Sequence, residues 1–426
     1  MIEADLVCSV ILFLLATIVL WIYFHHISFF FLSIYTARYS MHRKIGRIAK
    51  YPGISIIKPL MGCDSCLREN LVSHFTLDYP QFELLFCVQE EDDPAIDLVK
   101  RLLVEFPSVD AQIFVGGYPG VVNPMVANMG PAYLAAKYDR IWVSTSRIKV
   151  NTQIMLDLVE KSLDSDVGLV HQSSFFADQP GFLGALDKIC FGCSISRNQL
   201  ALTRLGIVCF VGMSYIVKRS LLEECGGLLH YGKYLAEDFF FSNELHSQGY
   251  RVVVSDFPAI QNVVMPSIGA YVTRMVRWLR LRLRMVPLVA VVIEPLSEGV
   301  TLGILFAISV NYLFEVPIVY LLVGHFAVWL TLDYVLLISL QNGRLLFSIP
   351  TFVLAWFCRE LLVYWIYLKA ISNPAIIQWG RYSYRVQLGG LTQRLPAKPP
   401  AQREYKPVEQ MEREIGDSRT ELLALS

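Results

Sequence analysis

Residues 82–105 read FELLFCVQEEDDPAIDLVKRLLVE and contain an apolar run, an acidic cluster and a helical pattern in close succession. The run Phe82–Val88 is typical of a buried strand, and the apolar spacing after it predicts a helix over 94–105. Helical patterns at 153–163 and 219–225 alternate with further β-rich runs. These runs are 54–59, 111–115, 140–143, 167–171, 208–216 and 251–254. The alternation predicts an α/β domain with a mostly parallel sheet and flanking helices.

The acidic cluster Asp92–Asp93 follows the apolar run at the edge of the sheet where such folds bind ligands. Carboxylates at this place can hold the ribose or uracil of a nucleotide, or help to bind a metal ion. Asp93 also suits the N-cap of the following helix, because aspartate is favoured there and Pro94 fits the first turn. The motif alone supports the two interpretations equally.

The composition indicates a soluble domain joined to membrane segments. Hydrophobic residues make up 54% of the 426 residues and charged residues 17%, which is more apolar than an average soluble domain. Basic and acidic side chains balance at 37 each, so no global positive field indicates nucleic acid as a partner.

The first apolar segment is long enough to cross a membrane. Residues 6–37 contain no Asp, Glu, Lys or Arg, and 6–24 alone matches the thickness of a bilayer core. Acidic residues precede this run and several basic residues follow it, which by the positive-inside rule places the next domain in the cytosol. A cleaved signal peptide would need a basic start, a shorter apolar run and a small-residue cleavage site, so residues 1–37 are interpreted as an anchor.

Three later apolar segments, 299–314, 316–332 and 345–368, are predicted to enter the membrane, with 286–296 along its interface. A tail rich in proline and charge is expected to be disordered from about residue 391. The predicted organisation has four parts: an anchor at 1–37, a cytosolic domain at 38–285, membrane and interface helices at 286–370, and a juxtamembrane segment with the tail at 371–426.

Three charged residues lie in or beside the apolar segments: Asp333, Arg359 and Glu360. Charge inside a membrane is costly, so such residues mark a functional pathway or pair with one another. Arg359 and Glu360 are adjacent and point to different faces of a helix. Pairing across helices is therefore favoured over pairing between these two.

The acidic pair Glu237-Asp238 opens a helix-like stretch that runs to His246. A displacement at a sugar carbon needs a base that takes the proton of the attacking hydroxyl, and a carboxylate within hydrogen-bond reach serves this purpose. The alternative for Asp238 is an acid in the first turn of a helix. Its apolar surroundings favour the base, since a lipid acceptor needs an apolar wall.

The sequence Arg274-Met275-Val276-Arg277-Trp278 places two arginines three positions apart, hence on one face of a helix. Two guanidiniums can bind a diphosphate through paired hydrogen bonds and stabilise its charge as it leaves. Trp278 would stack on the acceptor or anchor at the interface. Further arginines follow at 280, 282 and 284, and a basic stretch before membrane segments is also ordinary topology.

Two CxxC pairs occur, Cys63/Cys66 and Cys190/Cys193. Such pairs can hold zinc, but these lie far apart in the chain and in ordinary or apolar surroundings. In a reducing cytosol they are expected to be unpaired thiols.

Together these motifs resemble the ceramide glucosyltransferase family, from about residue 52 to about residue 390. The likeness is carried by an ordered series: Lys58-Pro59-Leu60, Cys87-Val88-Gln89, Asp92-Asp93-Pro94-Ala95-Ile96-Asp97, Val167-Gly168-Leu169-Val170-His171, Ala236-Glu237-Asp238, Arg274–Trp278, Glu294-Pro295 and Gly380-Arg381-Tyr382. The resemblance implies a GT-A type glycosyltransferase domain, UDP-glucose as the donor, and a divalent cation, Mg²⁺ or Mn²⁺. It also implies inverting transfer of glucose to the primary hydroxyl of ceramide at the cytosolic face of the Golgi.

The resemblance also implies roles for individual residues. Asp238 would be the catalytic base. The substrate and nucleotide would be bound by Asp92, Asp93, Arg274, Arg277 and Trp278, the last three forming the family's (Q/R)xxRW signature. Assembly into a homo- or hetero-oligomer is left open.

The chain departs from the family at three places. At the end of one strand the family has an aspartate followed by Ser-Gly; this chain has Thr145, with Arg147 in place of the glycine. A neutral hydroxyl is a poor ligand for a hard cation. The family's Asn-Pro-Lys is Asn123-Pro124-Met125 here, and a family histidine is replaced by Ile195. Arg147, together with Lys149, is hypothesised to place a fixed positive charge where the metal would lie.

Three functional hypotheses follow. The favoured one is a ceramide glucosyltransferase that makes glucosylceramide, with activity weakened or lost through Thr145, Met125 and Ile195. The second is a catalytically impaired member that binds lipid or an active homologue and regulates it. The third, another membrane-bound transferase such as a polyprenyl-phosphate or polysaccharide synthase, shares the Arg-x-x-Arg-Trp pattern but fits the ordered motifs less well.

Overall fold

The structure, a computed structural model, describes residues 2–380 and 382–396; Arg381 and most of the predicted tail, 397–426, lie outside the described residues. The helices are α1 (Ile2–Tyr39), α2 (Leu67–Phe75), α3 (Ala95–Glu105), α4 (Pro124–Ala135), α5 (Thr152–Ser162), α6 (Gly181–Ile189), α7 (Ser196–Arg204), α8 (Arg219–Glu224), α9 (Glu237–Ser247), α10 (Ile268–Met285), α11 (Glu294–Leu296), α12 (Gly299–Phe314), α13 (Ile318–Gln341) and α14 (Ile349–Ser372). A π-helical segment, Cys190–Ile195, joins α6 to α7, another, Val289–Ile293, precedes α11, and a 3₁₀ turn covers Leu228–Lys233.

In the part of the chain that the structure describes, the strands form three sheets. They are β1 (Ile54–Leu60), β2 (Phe82–Val88), β3 (Ala111–Val115), β4 (Arg140–Ser144), β5 (Ile148–Lys149), β6 (Val167–His171), β7 (Ser174–Phe176), β8 (Ser214–Lys218), β9 (Arg251–Val254), β10 (Ala259–Gln261), β11 (Ile376–Trp379), β12 (Tyr382–Val386) and β13 (Thr392–Arg394). The main sheet has the order β3-β2-β1-β4-β8-β6-β9, in which β8 runs antiparallel to both neighbours and the other pairs are parallel. The prediction of a mostly parallel α/β sheet is confirmed.

Successive residues of a strand point to opposite sides of the sheet. Adjacent apolar residues in the strands therefore make both faces of the main sheet apolar, and helices cover both. Ile56 of β1 packs with α2, α3 and α5 in one buried apolar cluster. Its neighbour Ile57 packs with α4, α8 and α9 in another. The carboxyl ends of β1, β2 and β4 therefore share one edge between two fixed layers, which is where the candidate site residues follow.

One strand is shorter than its pattern predicts. Residues 208–216 were expected to form a strand, whereas β8 spans Ser214–Lys218 and the preceding residues form a loop. Gly206 at the start of this loop has a φ of +77°, and the half-buried residues after it pair with no strand. The apolar character of 208–213 therefore reflects the wall of a site rather than a sheet.

Within the described residues, three helices are long and apolar enough to cross a membrane: Leu6–Tyr39, Ile318–Gln341 and Ile349–Ser372. A fourth candidate consists of Val289–Leu296 and Gly299–Phe314, which meet at a bend of 69°. These segments coincide with the predicted apolar regions at both ends of the sequence. The bend separates most of residues 286–296 from the helix that follows, and the place of these residues along the membrane interface stays a prediction.

Asp333, Arg359 and Glu360, the charged residues predicted in or beside the apolar segments, form ion pairs. Arg197 lies 3.5 Å from the Asp333 carboxylate, which also accepts a hydrogen bond from Trp356 Nε1 at 2.8 Å. Arg359 contacts Glu298 at 2.6 Å and also its neighbour Glu360. Pairing across helices is confirmed. Arg359 also reaches the adjacent Glu360, because its guanidinium side chain is long.

The residues after α14 form the antiparallel sheet β11-β12-β13. This sheet is fixed to α10 by arginine side chains: Arg280 donates to Ile376 O at 2.9 Å, and Arg284 donates to Val386 O at 2.9 Å. Disorder from about residue 391 was therefore wrong for residues 391–396, which the sheet and these hydrogen bonds order. Two of the additional arginines of the basic stretch serve this docking.

Candidate active site

The carboxyl end of β4 forms the floor of the candidate site. Thr145 N donates to Met213 O at 3.0 Å, and Ile148 N donates back to Thr145 O at 3.1 Å, so that Ser146 and Arg147 occupy a tight turn. This turn faces the loop before β8. It brings the position of the missing family aspartate next to the segment that leads to Gly212.

A buried lysine supports this turn from below. Lys58 Nζ donates to Thr145 O at 3.0 Å and lies 3.2 Å from His74 Nε2. His74 in turn lies 2.9 Å from Ser144 Oγ. Burial lowers the pKa of both Lys58 and His74, which favours their neutral forms. Lys58, the first residue of the Lys58-Pro59-Leu60 motif, therefore has a structural role: its hydrogen bond holds the turn after β4 in place.

The Asp93 carboxylate bridges two loops. One oxygen accepts from Gly62 N at 2.8 Å and the other from Ala95 N at 2.8 Å. The bond from Ala95 N is the kind that an aspartate makes at the start of a helix, which was the alternative to ligand binding for Asp93. Asp92 is exposed beside it. Asp93 thus holds the loop after β1 against the start of α3, at the shared edge of the sheet.

Asp238 lies in the first turn of α9 and is held by main-chain donors. Its carboxylate accepts from Gly212 N at 2.7 Å and from Phe239 N at 2.8 Å. A Cβ at Gly212 would meet Asp238 Oδ2 at 2.6 Å, so this approach requires glycine. Since Met213 bonds to Thr145, the carboxylate and the end of β4 belong to one connected group.

Burial raises the pKa of the neighbouring Glu237 to about 8, and the negative charge of Asp238 adds to this effect. The Glu237 carboxylate accepts from Asn123 Nδ2 at 2.5 Å. Burial also raises the pKa of Asp238. Two adjacent buried carboxyl groups disfavour a double negative charge, and the pKa of Glu237 lies above neutral. The two main-chain donors to Asp238 favour its ionised form, so we assign the negative charge of the pair to Asp238.

The Arg274 side chain is buried inside the protein, between an acidic partner and aromatic rings. It forms an ion pair with Asp187 of α6 and lies 5.4 Å from the ring centroids of both Phe176 and Phe191. Its side chain is 7% exposed, and Nε and Nη1 have no hydrogen-bond partner. Trp278 packs edge-on against Phe191 at 5.6 Å. Ordinary membrane-flanking topology does not account for a buried, ion-paired guanidinium.

Arg277 and Arg147 lie close to Arg274. The Arg277 guanidinium stacks 4.9 Å from the Trp379 ring. Burial, then the charges of Arg147 and Arg274, lowers the pKa of Arg277 to about 10. Burial and the charge of Arg274 also lower the pKa of Arg147, while Asp64 and Asp187 oppose that shift. The three guanidiniums form what we term the arginine cluster: Arg147, Arg274 and Arg277.

Three other positions considered in the sequence, Lys149, Met125 and Ile195, add no charge to the arginine cluster. Lys149, hypothesised to act with Arg147, forms an ion pair with Glu69 instead. Met125 packs at the start of α4, where its N–H donates to Asn123 Oδ1 at 2.8 Å. Ile195 packs in the apolar cluster that contains Phe191. Both substitutions place apolar groups beside the site.

The described cysteines are all free thiols, as the sequence predicted. Among residues 2–380 and 382–396, no three His, Cys, Asp or Glu side chains are grouped so that they could hold a metal ion. Neither CxxC pair belongs to such a group among the described residues.

The family profile of glycosyl transferase family 21 matches residues 18–392. The chain belongs to this family. It is accordingly a glycosyltransferase, and the main sheet with its flanking helices is a GT-A type domain. The resemblance stated from the sequence is confirmed.

Two relatives from Caenorhabditis elegans span most of the chain. Ceramide glucosyltransferase 3 is 39% identical over 363 residues, covering 85% of this chain and 78% of that protein. Ceramide glucosyltransferase 1 is 38% identical over 370 residues, covering 87% and 78%. The ceramide glucosyltransferase of Komagataella phaffii is 26% identical and covers 79% and 82%.

Solved structures of similar shape include mannosyltransferase PcManGT from Pyrobaculum calidifontis, in complex with GDP-Man and Mn²⁺. It has a TM-score of 0.46 at 15% identity and covers 84% of this chain and 98% of that one. Glucosyl-3-phosphoglycerate synthase from Mycobacterium tuberculosis, with Mn²⁺ and UDP-glucose, has a TM-score of 0.35 at 16% identity and covers 53% and 79%.

Sequence reasoning missed three contributors to the site. Asp187 lies in an apolar helix, where an unpaired acid is costly, so its position alone signals a buried partner. Trp379 and Gly212 gave no such signal. Trp379 stacks on Arg277 only because the sheet β11-β12-β13 folds back on α10, and the role of Gly212 depends on where α9 begins.

Proposed function

We propose that this protein transfers glucose from UDP-glucose to the primary hydroxyl of ceramide, with inversion, to give glucosylceramide. The observation that carries this proposal is the Asp238 carboxylate, held by Gly212 N at 2.7 Å within one connected group that reaches the end of β4. Membership of glycosyl transferase family 21 and the relatives named ceramide glucosyltransferase support the choice of sugar and lipid.

In the proposed reaction Asp238 is the base. Its carboxylate takes the proton of the ceramide hydroxyl as that oxygen attacks the anomeric carbon of glucose. The bond from that carbon to the diphosphate breaks at the same time, and its electron pair leaves with UDP. Two main-chain N–H donors orient the carboxylate, and a protonated Glu237 beside it leaves the negative charge on Asp238.

The donor is proposed to lie along the carboxyl ends of β1, β2 and β4. Asp93 and Asp92 stand at the end of β2 and face the loop that carries Gly62, a suitable place for the ribose or uracil. The guanidiniums of Arg274 and Arg277 would bind the diphosphate, and Trp278 would shape the acceptor side. The same edge thus provides groups for each part of the donor.

The acceptor is proposed to approach from the membrane. Phe239 and Phe240 follow Asp238 and are half-buried, and Ile207 in the loop before Gly212 is exposed. These apolar side chains suit a lipid chain. With α1 and the later apolar helices in a Golgi bilayer, this cleft would open onto the cytosolic leaflet, as the basic residues after α1 favour.

The experiment is glucosyl transfer in membranes that carry the full chain. Membranes are incubated with ceramide and radiolabelled UDP-glucose, and lipid products are separated by chromatography. Labelled glucosylceramide is expected from the wild type and not from Asp238→Asn, whose amide cannot accept the proton. UDP binding to Asp238→Asn should be unchanged. Equal labelling of both proteins, or none in either, would overturn the proposed reaction.

A regulatory, catalytically impaired protein is not favoured. Its grounds were Thr145, Met125 and Ile195, yet the Asp238 carboxylate keeps two main-chain donors, Gly212 N and Phe239 N. Thr145 keeps its main-chain bonds to Met213 and Lys58, so the turn at the end of β4 does not collapse.

A further inference from the structure

The end of β4 does not suit the divalent cation that the resemblance implies. Thr145 offers a neutral hydroxyl where a hard cation needs charged oxygen ligands. Two of the carboxylates nearby already have partners: Asp187 pairs with Arg274, and Asp93 accepts from two main-chain N–H groups. Within the described residues no cluster of three or more metal-ligating side chains exists.

The same place carries an excess of positive charge. The arginine cluster brings three guanidiniums together, and Asp187, which pairs with Arg274, is the only carboxylate in an ion pair with any of them among the described residues. Asp64 also attracts Arg147, but it lies outside ion-pair distance. Buried like charges repel strongly, so a site of this kind is stabilised by an anion.

The arginine cluster also contains N–H donors that have no hydrogen-bond partner and would be satisfied by an anion. Arg274 Nε and Nη1 are buried without a hydrogen-bond partner, and leaving charged N–H groups unsatisfied costs free energy. The Arg147 side chain is half-buried at the turn after β4, and among the described residues no carboxylate forms an ion pair with it. A ligand with several anionic oxygens would satisfy both arginines at once.

We propose that the arginine cluster binds the diphosphate of the nucleotide-sugar donor directly, with Arg147 in the place of the divalent cation. The identity of this ligand rests on the proposed function. Guanidiniums suit the task because they remain charged and bind phosphate oxygens in pairs. When the bond between sugar and diphosphate breaks, the electron pair on the departing diphosphate oxygen is stabilised by these fixed charges. Donor binding is therefore independent of added metal.

The first test measures UDP binding to the full-length protein in detergent by titration calorimetry, with EDTA or with Mn²⁺. The wild type is expected to bind UDP equally well in both. Loss of a charged hydrogen bond in Arg147→Gln should weaken binding about ten- to a hundredfold. The matched control is Arg251→Gln, which removes an exposed arginine paired with Asp164 and Asp166 and should bind UDP like the wild type.

Wild-type binding that disappears in EDTA would overturn the inference without any variant. Unchanged affinity in a folded Arg147→Gln, checked by its thermal unfolding, would do so as well. A second variant restores the family pattern: Thr145→Asp with Arg147→Gly supplies a carboxylate and removes the guanidinium. We expect it to bind UDP only weakly in EDTA and more tightly in Mn²⁺. Equal affinity of this double variant in both buffers would also contradict the inference.

These outcomes separate the inference from the reaction itself. If UDP binds in EDTA but no glucosylceramide forms in membranes, the proposed function fails and the inference about the arginine cluster stands. If glucosylceramide forms but UDP binding requires Mn²⁺, the reaction stands and the inference fails.

Discussion

Arg274 and Asp187 form a buried ion pair that joins α10 to α6. The pair fixes the first arginine of the Arg-x-x-Arg-Trp sequence beneath aromatic rings, next to the turn after β4. A guanidinium held in this way keeps its orientation with little loss of side-chain entropy on binding a ligand. Asp187 is thus a positioning residue for Arg274 in the proposed diphosphate site.

Asp187→Asn is expected to destabilise the protein. Removing one partner of a buried pair leaves the other charge uncompensated, at a cost of about 3 kcal/mol or more. The midpoint of thermal unfolding in detergent should therefore fall, and added UDP should restore part of it by supplying negative charge. The exposed Arg251→Gln is the control and should unfold like the wild type. An Asp187→Asn protein that unfolds at the wild-type temperature would contradict a structural role for the pair.

Gly212→Ala is expected to lower glucosyl transfer about a hundredfold, since a displacement of a catalytic group by about 1 Å has effects of that size. The new methyl group would collide with Asp238 Oδ2 and move the carboxylate. UDP affinity should not change, because the arginine cluster is untouched. Gly46→Ala is the control, since nothing lies within 4 Å of a Cβ at that position. Wild-type turnover by Gly212→Ala would mean that the position of Asp238 is unimportant.

The alternation of strands and helices was enough to predict the main sheet, because burial on both faces leaves a clear apolar pattern in β1, β2 and β6. The error at 208–216 has a physical reason. Apolar residues that wall a cleft have the same composition as a buried strand, and only the partner strand distinguishes them. β13 was missed for a similar reason, since its order depends on pairing with β12, which Arg284 of α10 in turn holds through Val386 O.

The sequence predicted the main residues of the candidate site but not the residues that hold them in place. The residue types at Asp93, Asp238 and Arg274 follow from chemistry and from the resemblance. Asp187 and Gly212, which hold two of these side chains, become visible only when α6 and the loop before β8 are in place. Which arginines of the basic stretch dock the sheet β11-β12-β13 likewise depends on the tertiary structure.

Glu237→Gln tests the buried carboxyl pair through the pH dependence of stability. The pKa of Glu237 is about 8 in the folded protein against an ordinary value of 4.5. Its contribution is therefore fully present below pH 4.5 and is lost as the pH rises through 8. The glutamine resembles the protonated acid and cannot ionise, so the variant should match the wild type below pH 4.5 and become increasingly more stable than it as the pH rises from 4.5 to 8.

The measurement is the difference in thermal unfolding midpoint between wild type and Glu237→Gln across this pH range. The exposed Glu224→Gln serves as the control and should show no such trend. A difference that stays constant with pH would mean that Glu237 is not protonated in the folded protein.

Trp379→Leu tests the contact between the C-terminal sheet and the arginine cluster. The Arg277 guanidinium lies 4.9 Å from the Trp379 ring centroid, and a partly buried cation–π contact contributes about 1–2 kcal/mol. Losing it frees the guanidinium, so the KM for UDP-glucose should rise about fivefold to thirtyfold with little change in kcat. Trp365→Leu is the control, since that ring stacks on Lys369 in α14 and not on the cluster. A fall in kcat at unchanged KM would show instead that Trp379 acts on the chemical step, because an interaction lost only in the transition state lowers kcat alone.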